Sequence, residues 1–242
     1  MEKHGCGCEN CLNRLCAHRV PVFSSLNHEE ILKVSSLIIK KKYSRGELII
    51  MEGDTLDSLV IISSGNAKAF RDTQEGKEQI LYIFSEGDFF GEKNLLRNQQ
   101  ATYNVEALEE THVCTIRKTA FHQLLREYPD IGLKIMEELC RRLEQLESTI
   151  ENMGTRNVET RINAVLLEFA KRYGKDTPKG FMIDLPLSRE GIANYIGVAR
   201  ETVSRKMTFL QDEGIIEMVG NKKVIIHNMA ALEREAGQKR SE

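Results

Sequence analysis

Two groups of residues in this chain have the types and spacing for chemistry. Cys6, Cys8, Cys11 and Cys16 lie within eleven residues of one another, while Cys114 and Cys140 stand apart. A chain of 242 residues in a reducing compartment needs no disulfide staples, so clustered thiols point to metal or redox chemistry. The second group lies between Leu187 and Lys206. Ser188 suits a helix N-cap, Gly197 suits a sharp left-handed turn, and a second helix follows at once. In that helix Val203, Met207 and Leu210 fall on one apolar face, while Arg200, Glu201 and Thr202 open it with polar side chains. The pattern is a helix-turn-helix, whose second helix presents its first residues to a DNA major groove. Arg200 and Arg205 can donate to guanine, Glu201 can accept from cytosine N4, and Ser204 can bond a base or a phosphate. Ser188, Arg200, Glu201, Thr202, Ser204 and Arg205 are therefore the candidate DNA-binding residues.

The elements that position these groups follow from periodicity. A short helix opens at Asn27-His28-Glu29-Glu30, with Ile31, Leu32, Val34 and Leu37 as its apolar face. Apolar runs at 48–51, 59–63, 67–71, 79–84, 103–107 and 112–116 are separated by Gly-containing turns, as in an antiparallel sandwich or roll. After a short helix ending near Tyr128-Pro129, a long one is predicted from about Ile131 to Met153. Its Met136, Leu139, Leu143, Leu146, Ile150 and Met153 are spaced 3, 4, 3, 4, 3, the pattern of a coiled-coil seam, so a parallel homodimer is expected. Cys140, beside that seam, reads as a small buried hydrophobe. Beyond Gly154 come a helix (158–173), a polar loop (174–180), a strand (181–185), the helix-turn-helix, and a hairpin turning at Gly220-Asn221.

Composition bounds the rest. Charged residues are 29% and the hydrophobic set 41%, with 17 Gly and 4 Pro, which excludes collagen-like and low-complexity chains. No window approaches the roughly 18 apolar residues of a membrane span, and the first residues lack a signal-peptide core, so a cytoplasmic location with no membrane partner is expected. The net charge is −2, but residues from Gly154 onward carry 15 Lys and Arg against 12 Asp and Glu. That mild basicity is compatible with a local DNA-binding patch. No set of nucleophile, base and orienting group is evident, so an enzyme is not expected.

Arg45-Gly46-Glu47-Leu48-Ile49-Ile50-Met51-Glu52-Gly53-Asp54, Leu59-Val60-Ile61-Ile62-Ser63-Ser64-Gly65 and Glu86-Gly87-Asp88-Phe89-Phe90-Gly91-Glu92 resemble the three signatures of a cyclic-nucleotide-binding-type β-roll. With the seam helix and Arg200-Glu201-Thr202-Val203-Ser204-Arg205 in the same order, nearly the whole chain resembles the Crp/Fnr family of bacterial transcription regulators. The resemblance implies an α+β fold in four parts: a cysteine-rich segment (1–22), a β-roll sensor (23–129), a dimerisation helix (130–153) and a winged helix-turn-helix (154–242). It also implies an inverted-repeat operator in double-stranded DNA and RNA polymerase as a partner.

Within the family, the cyclic-AMP receptor branch holds the nucleotide phosphate with an Arg-Ser pair; here those positions are Ala101 and Thr102. Cys8, Cys11 and Cys16, with Cys114 at the end of a β-roll strand, look instead like the oxygen-sensing Fnr arrangement, which implies a [4Fe-4S] cluster held by four thiolates. The gap of four residues between Cys11 and Cys16 is one shorter than the family pattern, and Cys6 can substitute for Cys8. A Zn site beside a pocket for a small metabolite, and a thiol-disulfide switch, are the alternatives. Glu201 and Arg205 match the family's readers of a TGA core. Ser204 favours TTGAT half-sites and Arg200 favours TGTGA, towards which the reading leans.

Overall fold

The computed structural model describes residues 20–97, 99–155, 157–178 and 180–236. Cys6, Cys8, Cys11 and Cys16 lie outside the described residues, as does the side chain of Met153. By internal contacts the chain divides into two compact units, residues 1–71 with 81–144, and residues 72–80 with 145–242.

In the first unit a 3-10 turn at Pro21–Phe23 leads to α1 (His28–Ser36). Asn27 Oδ1 accepts from the Glu29 and Glu30 N–H groups at 3.0 and 3.1 Å, and the Glu30 carboxylate accepts from Asn27 N–H at 2.8 Å, forming a capping box. Ile31 and Val34 are buried but Leu32 and Leu37 are exposed, so the apolar face is narrower than the sequence suggests.

The strands are β1 (Ile39–Tyr43), β2 (Leu48–Ile50), β3 (Ser58–Ser64), β4 (Ala67–Asp72), β5 (Glu78–Phe84), β6 (Phe89–Phe90), β7 (Asn104–Ala107) and β8 (Thr111–Arg117). They make two sheets, ordered β1-β8-β3-β6 and β2-β7-β4-β5. Pairings of β8 with β1 and β3, and of β7 with β2 and β4, are antiparallel. Side chains on β3 alternate between two cores, because successive residues of a strand point to opposite faces. Val60 and Ile62 join Val113, Val105 and Phe90 inside the roll. Leu59 and Ile61 join Cys114, Ile116 and Phe121 in a second cluster that also holds Val20, Val22, Phe23 and Ile31. Gly91 has φ +92°, and a Cβ there would lie 2.5 Å from Leu56 Cδ2 and 2.8 Å from the Ser58 carbonyl oxygen, so only glycine fits this turn. It leads into α2 (Glu92–Arg97); α3 (Lys118–Glu127) and the 27-residue α4 (Pro129–Thr155) follow β8.

The second unit contains α5 (Val158–Tyr173), β9 (Gly174–Thr177), β10 (Gly180–Asp184), α6 (Arg189–Ile196), α7 (Arg200–Asp212), β11 (Ile216–Val219), β12 (Lys223–Ile226) and α8 (Met229–Glu235). Its antiparallel sheet runs β11-β12-β10-β9. The segment read as a polar loop, 174–180, is thus largely strand β9. Its side chains give no apolar alternation; it pairs through its backbone with β10, and Lys175 Nζ reaches Asp184 Oδ2 at 3.1 Å.

Candidate nucleic-acid interface and sensor residues

Ser188 Oγ accepts from Gly191 N–H at 3.2 Å and so caps α6. Gly197 takes φ +69° and ψ +47°, the left-handed conformation that lets the chain leave α6 and enter α7 after two residues. Ile192, Ala193 and Ile196 of α6, with Val203, Met207 and Leu210 of α7, bury the inner faces. Arg200, Glu201 and Arg205 are exposed, and Thr202 and Ser204 are half-buried on the same turns. Among the described residues, Arg200, Glu201 and Arg205 enter no side-chain hydrogen bond or ion pair, so their donors and acceptors are free for a ligand. The β11–β12 hairpin turns at Gly220, with Asn221 and Lys222 exposed at its tip. Lys206, in the same helix as the reader residues, is buried.

The first unit carries Cys114 and the residues of the β-roll signatures. Cys114 is 6% exposed and shares its apolar cluster with Val20, Val22 and Phe23, the chain that leads out of the cysteine-rich segment. Among the described residues no three His, Cys, Asp or Glu side chains gather as metal ligands; four candidate thiols fall outside that set.

At the third β-roll signature, Glu92 is 2% exposed. Ala101 is buried, and the Thr102 carbonyl oxygen accepts from Arg71 Nε. Arg142 of α4 brings a cation against Glu92 and the aromatic side chains of the roll. Its Nη2 donates to the Phe89 carbonyl oxygen at 2.6 Å and its Nε to Glu138 Oε1 at 3.0 Å, while Nη1 lies 3.6 Å from Glu92 Oε1. The guanidinium carbon is 4.6 Å from the Phe89 ring centroid and 5.5 Å from that of Phe84. This cation is therefore engaged by the protein's own acceptors. Burial raises the Tyr103 phenol far above its ordinary range, so Tyr103 is a neutral hydroxyl at any working pH. This role of Arg142 in tying α4 to the roll was not legible in the sequence; it lies in a charged run of α4 with no motif around it.

On α4 the apolar stripe divides. Leu139 turns towards the apolar cluster that holds Cys114. Leu133, Met136, Leu143 and Ile150 are 54, 55, 56 and 69% exposed, and Leu146 lies at the edge of the same strip. Cys140 is exposed among them, contrary to its reading as a buried hydrophobe. The strip 133, 136, 140, 143 and 150 keeps the seam spacing but is displaced by one residue at Leu139.

Comparison with known proteins agrees with this architecture. Residues 40–128 match the cyclic nucleotide-binding domain, and residues 160–235 match the Crp-like helix-turn-helix domain. A probable transcriptional regulator, flp, of Lacticaseibacillus casei is 32% identical over 218 residues, 90% of this chain and 96% of that protein. An anaerobic regulatory protein of Aggregatibacter actinomycetemcomitans is 28% identical over 236 residues, 96% of this chain and 89% of that one. A solved CooA mutant from Carboxydothermus hydrogenoformans has the same fold, with a TM-score of 0.75 at 22% identity, covering 90% of this chain and 95% of that one. No helix among the described residues is long and apolar enough to cross a membrane. With a β-roll followed by a Crp-like helix-turn-helix and relatives that are transcription regulators rather than enzymes, the chain belongs to the Crp/Fnr family of DNA-binding transcription regulators.

Proposed function

We propose that this regulator works in the cytoplasm as a homodimer and senses oxygen or redox state through a [4Fe-4S] cluster held by Cys8, Cys11, Cys16 and Cys114, with Cys6 able to replace Cys8. The parts are those expected from the sequence: a ligand-bearing segment (1–22), a β-roll (23–129), a dimerisation helix (130–153) and a DNA-binding domain (154–242). The observation that carries this reading is the packing of Val20 and Cys114 in one apolar cluster. Three residues separate Cys16 from Val20, and the four Cα-to-Cα steps between them span at most about 14 Å. That length supports a Cys16 able to approach β8, with Cys8 and Cys11 on the same segment. Four thiolates complete the coordination of such a cluster, and an apolar shell like that around Cys114 limits solvent access to it. When bound, the cluster supplies an oxygen-labile link between the N-terminal segment and the β-roll. The relative named as an anaerobic regulatory protein supports the same assignment.

A cyclic nucleotide is a poor fit, because Ala101 offers no cation and Arg142 is already bound by Phe89 and Glu138. Anaerobic purification tests the cluster reading: the protein should be brown, with broad visible absorbance and stoichiometric iron and sulfide. Cys114→Ser should lose the iron and Cys140→Ser should keep it. A colourless protein that binds Zn, or full iron in Cys114→Ser, overturns the four-thiolate assignment.

At the DNA, Arg205 donates to guanine and Glu201 accepts from the opposite cytosine of a TGA core, with Arg200 adding a guanine contact that favours TGTGA over TTGAT half-sites. Thr202, Ser204 and Ser188 supply hydroxyls at the same surface. Two recognition helices related by a dimer two-fold require inverted half-sites about one helical turn apart. RNA polymerase is the partner through which operator binding reaches transcription.

A further inference from the structure

The inner face of α7 includes a lysine. Val203, Lys206, Met207 and Leu210 stand at i, i+3, i+4 and i+7, the stripe through which this helix packs, and Lys206 is only 4% exposed. Its Nζ donates to Glu159 Oε2 on α5 at 3.1 Å and to Glu235 Oε2 on α8 at 3.0 Å, and sits 4.6 Å from the Phe209 ring centroid. Both carboxylates are substantially exposed, so the ammonium is enclosed while its partners stay hydrated. The end of α8 is tied a second time, because Asn163 Nδ2 of α5 donates to the Glu235 carbonyl oxygen at 3.1 Å. Arg161 Nη1 of α5 donates to the Ile196 carbonyl oxygen at 3.1 Å and closes the end of α6. One helix, α5, thus grips α6 through Arg161 and α7 through Glu159.

We propose that Lys206 is a positioning residue for DNA reading: it fixes the rotation of α7 about its axis and does not itself contact DNA. The inference rests on α7 being the recognition helix. Apolar contact is non-directional and tolerates small rotations of a helix on its neighbours. An ammonium shared between two carboxylates on different helices has a defined optimum, and rotations that break it leave a buried charge uncompensated. Successive residues of an α-helix are turned by about 100°, so the setting of Lys206 also sets the direction of Arg205 next to it. Base-reading side chains need placement to within about 0.5 Å, which is the tolerance a packed stripe alone does not guarantee.

The test compares wild type, Lys206→Met and the double variant Glu159→Gln/Glu235→Gln on an inverted-repeat duplex with TGTGA half-sites and on a scrambled duplex, from about 50 to about 200 mM salt. Lys206→Met keeps the stem and removes the charge, the two carboxylates it leaves are exposed enough to stay hydrated, and circular dichroism checks the fold. Affinity for the inverted repeat is expected to fall about tenfold, the loss of roughly one base contact, with scrambled-duplex affinity and salt slope unchanged. The double variant, which retains Lys206 and alters residues away from the reader face, is expected to lose specificity in the same way, and it carries the test if Lys206→Met does not fold. Equal loss on both duplexes with the salt slope reduced by about 0.9 marks a phosphate contact and overturns the inference. Unchanged specificity in either folded variant overturns it too. A wild type that does not distinguish the duplexes overturns the reading of α7 itself, which separates that failure from this one.

Discussion

Replacing Leu143 by Glu should dissociate the dimer without unfolding the protomer. Leu143 is 56% exposed in the single chain, and Leu133, Met136 and Ile150 are at least as open or nearly so. Full burial of a leucine contributes roughly 1.5 to 3 kcal/mol, so a side chain that begins about half covered has about 1 kcal/mol left to gain in each chain. In a parallel seam the two residues 143 meet across the two-fold. Two carboxylates there repel by about 4 kcal/mol at 4 Å in a surface-like dielectric, and about half of that remains once the side chains splay into solvent. The total is on the order of 4 kcal/mol, about a thousandfold in the dimer dissociation constant. Sedimentation velocity over a concentration series reads the constant directly, and binding to an inverted-repeat duplex should weaken in parallel. A constant within tenfold of wild type would refute the seam, since a carboxylate that stays solvated at this position would mean that α4 meets its partner elsewhere. Leu139→Glu provides the contrast: it inserts a charge against the protomer's own apolar cluster, so it should lower the melting temperature rather than separate folded subunits.

Three further outcomes follow from the same geometry. Cys140 lies in the exposed strip, so in a parallel seam the two copies face each other; with Cys6, Cys8, Cys11 and Cys16 changed to Ser, mild oxidation should give a dimer on a non-reducing gel that adding Cys140→Ser abolishes, and the absence of a cross-link through Cys140 would move the seam. Arg200→Ala should cost roughly 1 to 3 kcal/mol at a single base position of a TGTGA half-site and little on TTGAT, whereas equal loss on both with a flatter salt dependence would make Arg200 a phosphate contact. Burial raises the Glu168 carboxyl above its ordinary 4.5, opposed by the Tyr195 hydroxyl and Arg172. A carboxyl with a raised folded value favours the folded state fully below its ordinary value, and that contribution is lost as pH rises towards the raised one. The stability of Glu168→Gln relative to wild type should therefore increase from about pH 4 to about pH 7, and a pH-independent difference would count against a buried Glu168.

The order of elements was legible because strongly periodic stretches keep their pattern in the fold: the helix-turn-helix, α4 and the main roll strands are where the spacing placed them. The elements that escaped are those with weak patterns of their own. Strand β6 is two residues long, β1 carries Lys40, Lys41 and Lys42 along an exposed edge, and β9 is Gly-Lys-Asp-Thr. Each forms because a neighbouring strand offers a backbone ladder, which side-chain periodicity does not report. Strand β3 presents the opposite case. Both its faces are covered, so Leu59-Val60-Ile61-Ile62 reads as a continuous apolar run, and the two clusters reveal that Leu59 and Val60 point apart.

The same distinction governs the charged residues. Arg200, Glu201 and Arg205 were recognisable because a reader residue is exposed and its motif is local. Arg142 and Lys206 sit in stretches as charged as any solvated helix face, and nothing within a few residues separates them from it. Lys206 finds both its carboxylates on other elements, Glu159 and Glu235, and Arg142 adds Phe89 and Glu92 of the roll to its own-helix partner Glu138. Periodicity still holds a usable signal, since Lys206 falls on the stripe of Val203, Met207 and Leu210, where an unpaired charge would cost several kcal/mol. A lysine on the buried stripe of a recognition helix therefore implies carboxylates on the elements beneath it. The proposed division of labour within α7 follows from that placement: outward residues choose the base, and the inward charge sets where those residues stand when they meet it.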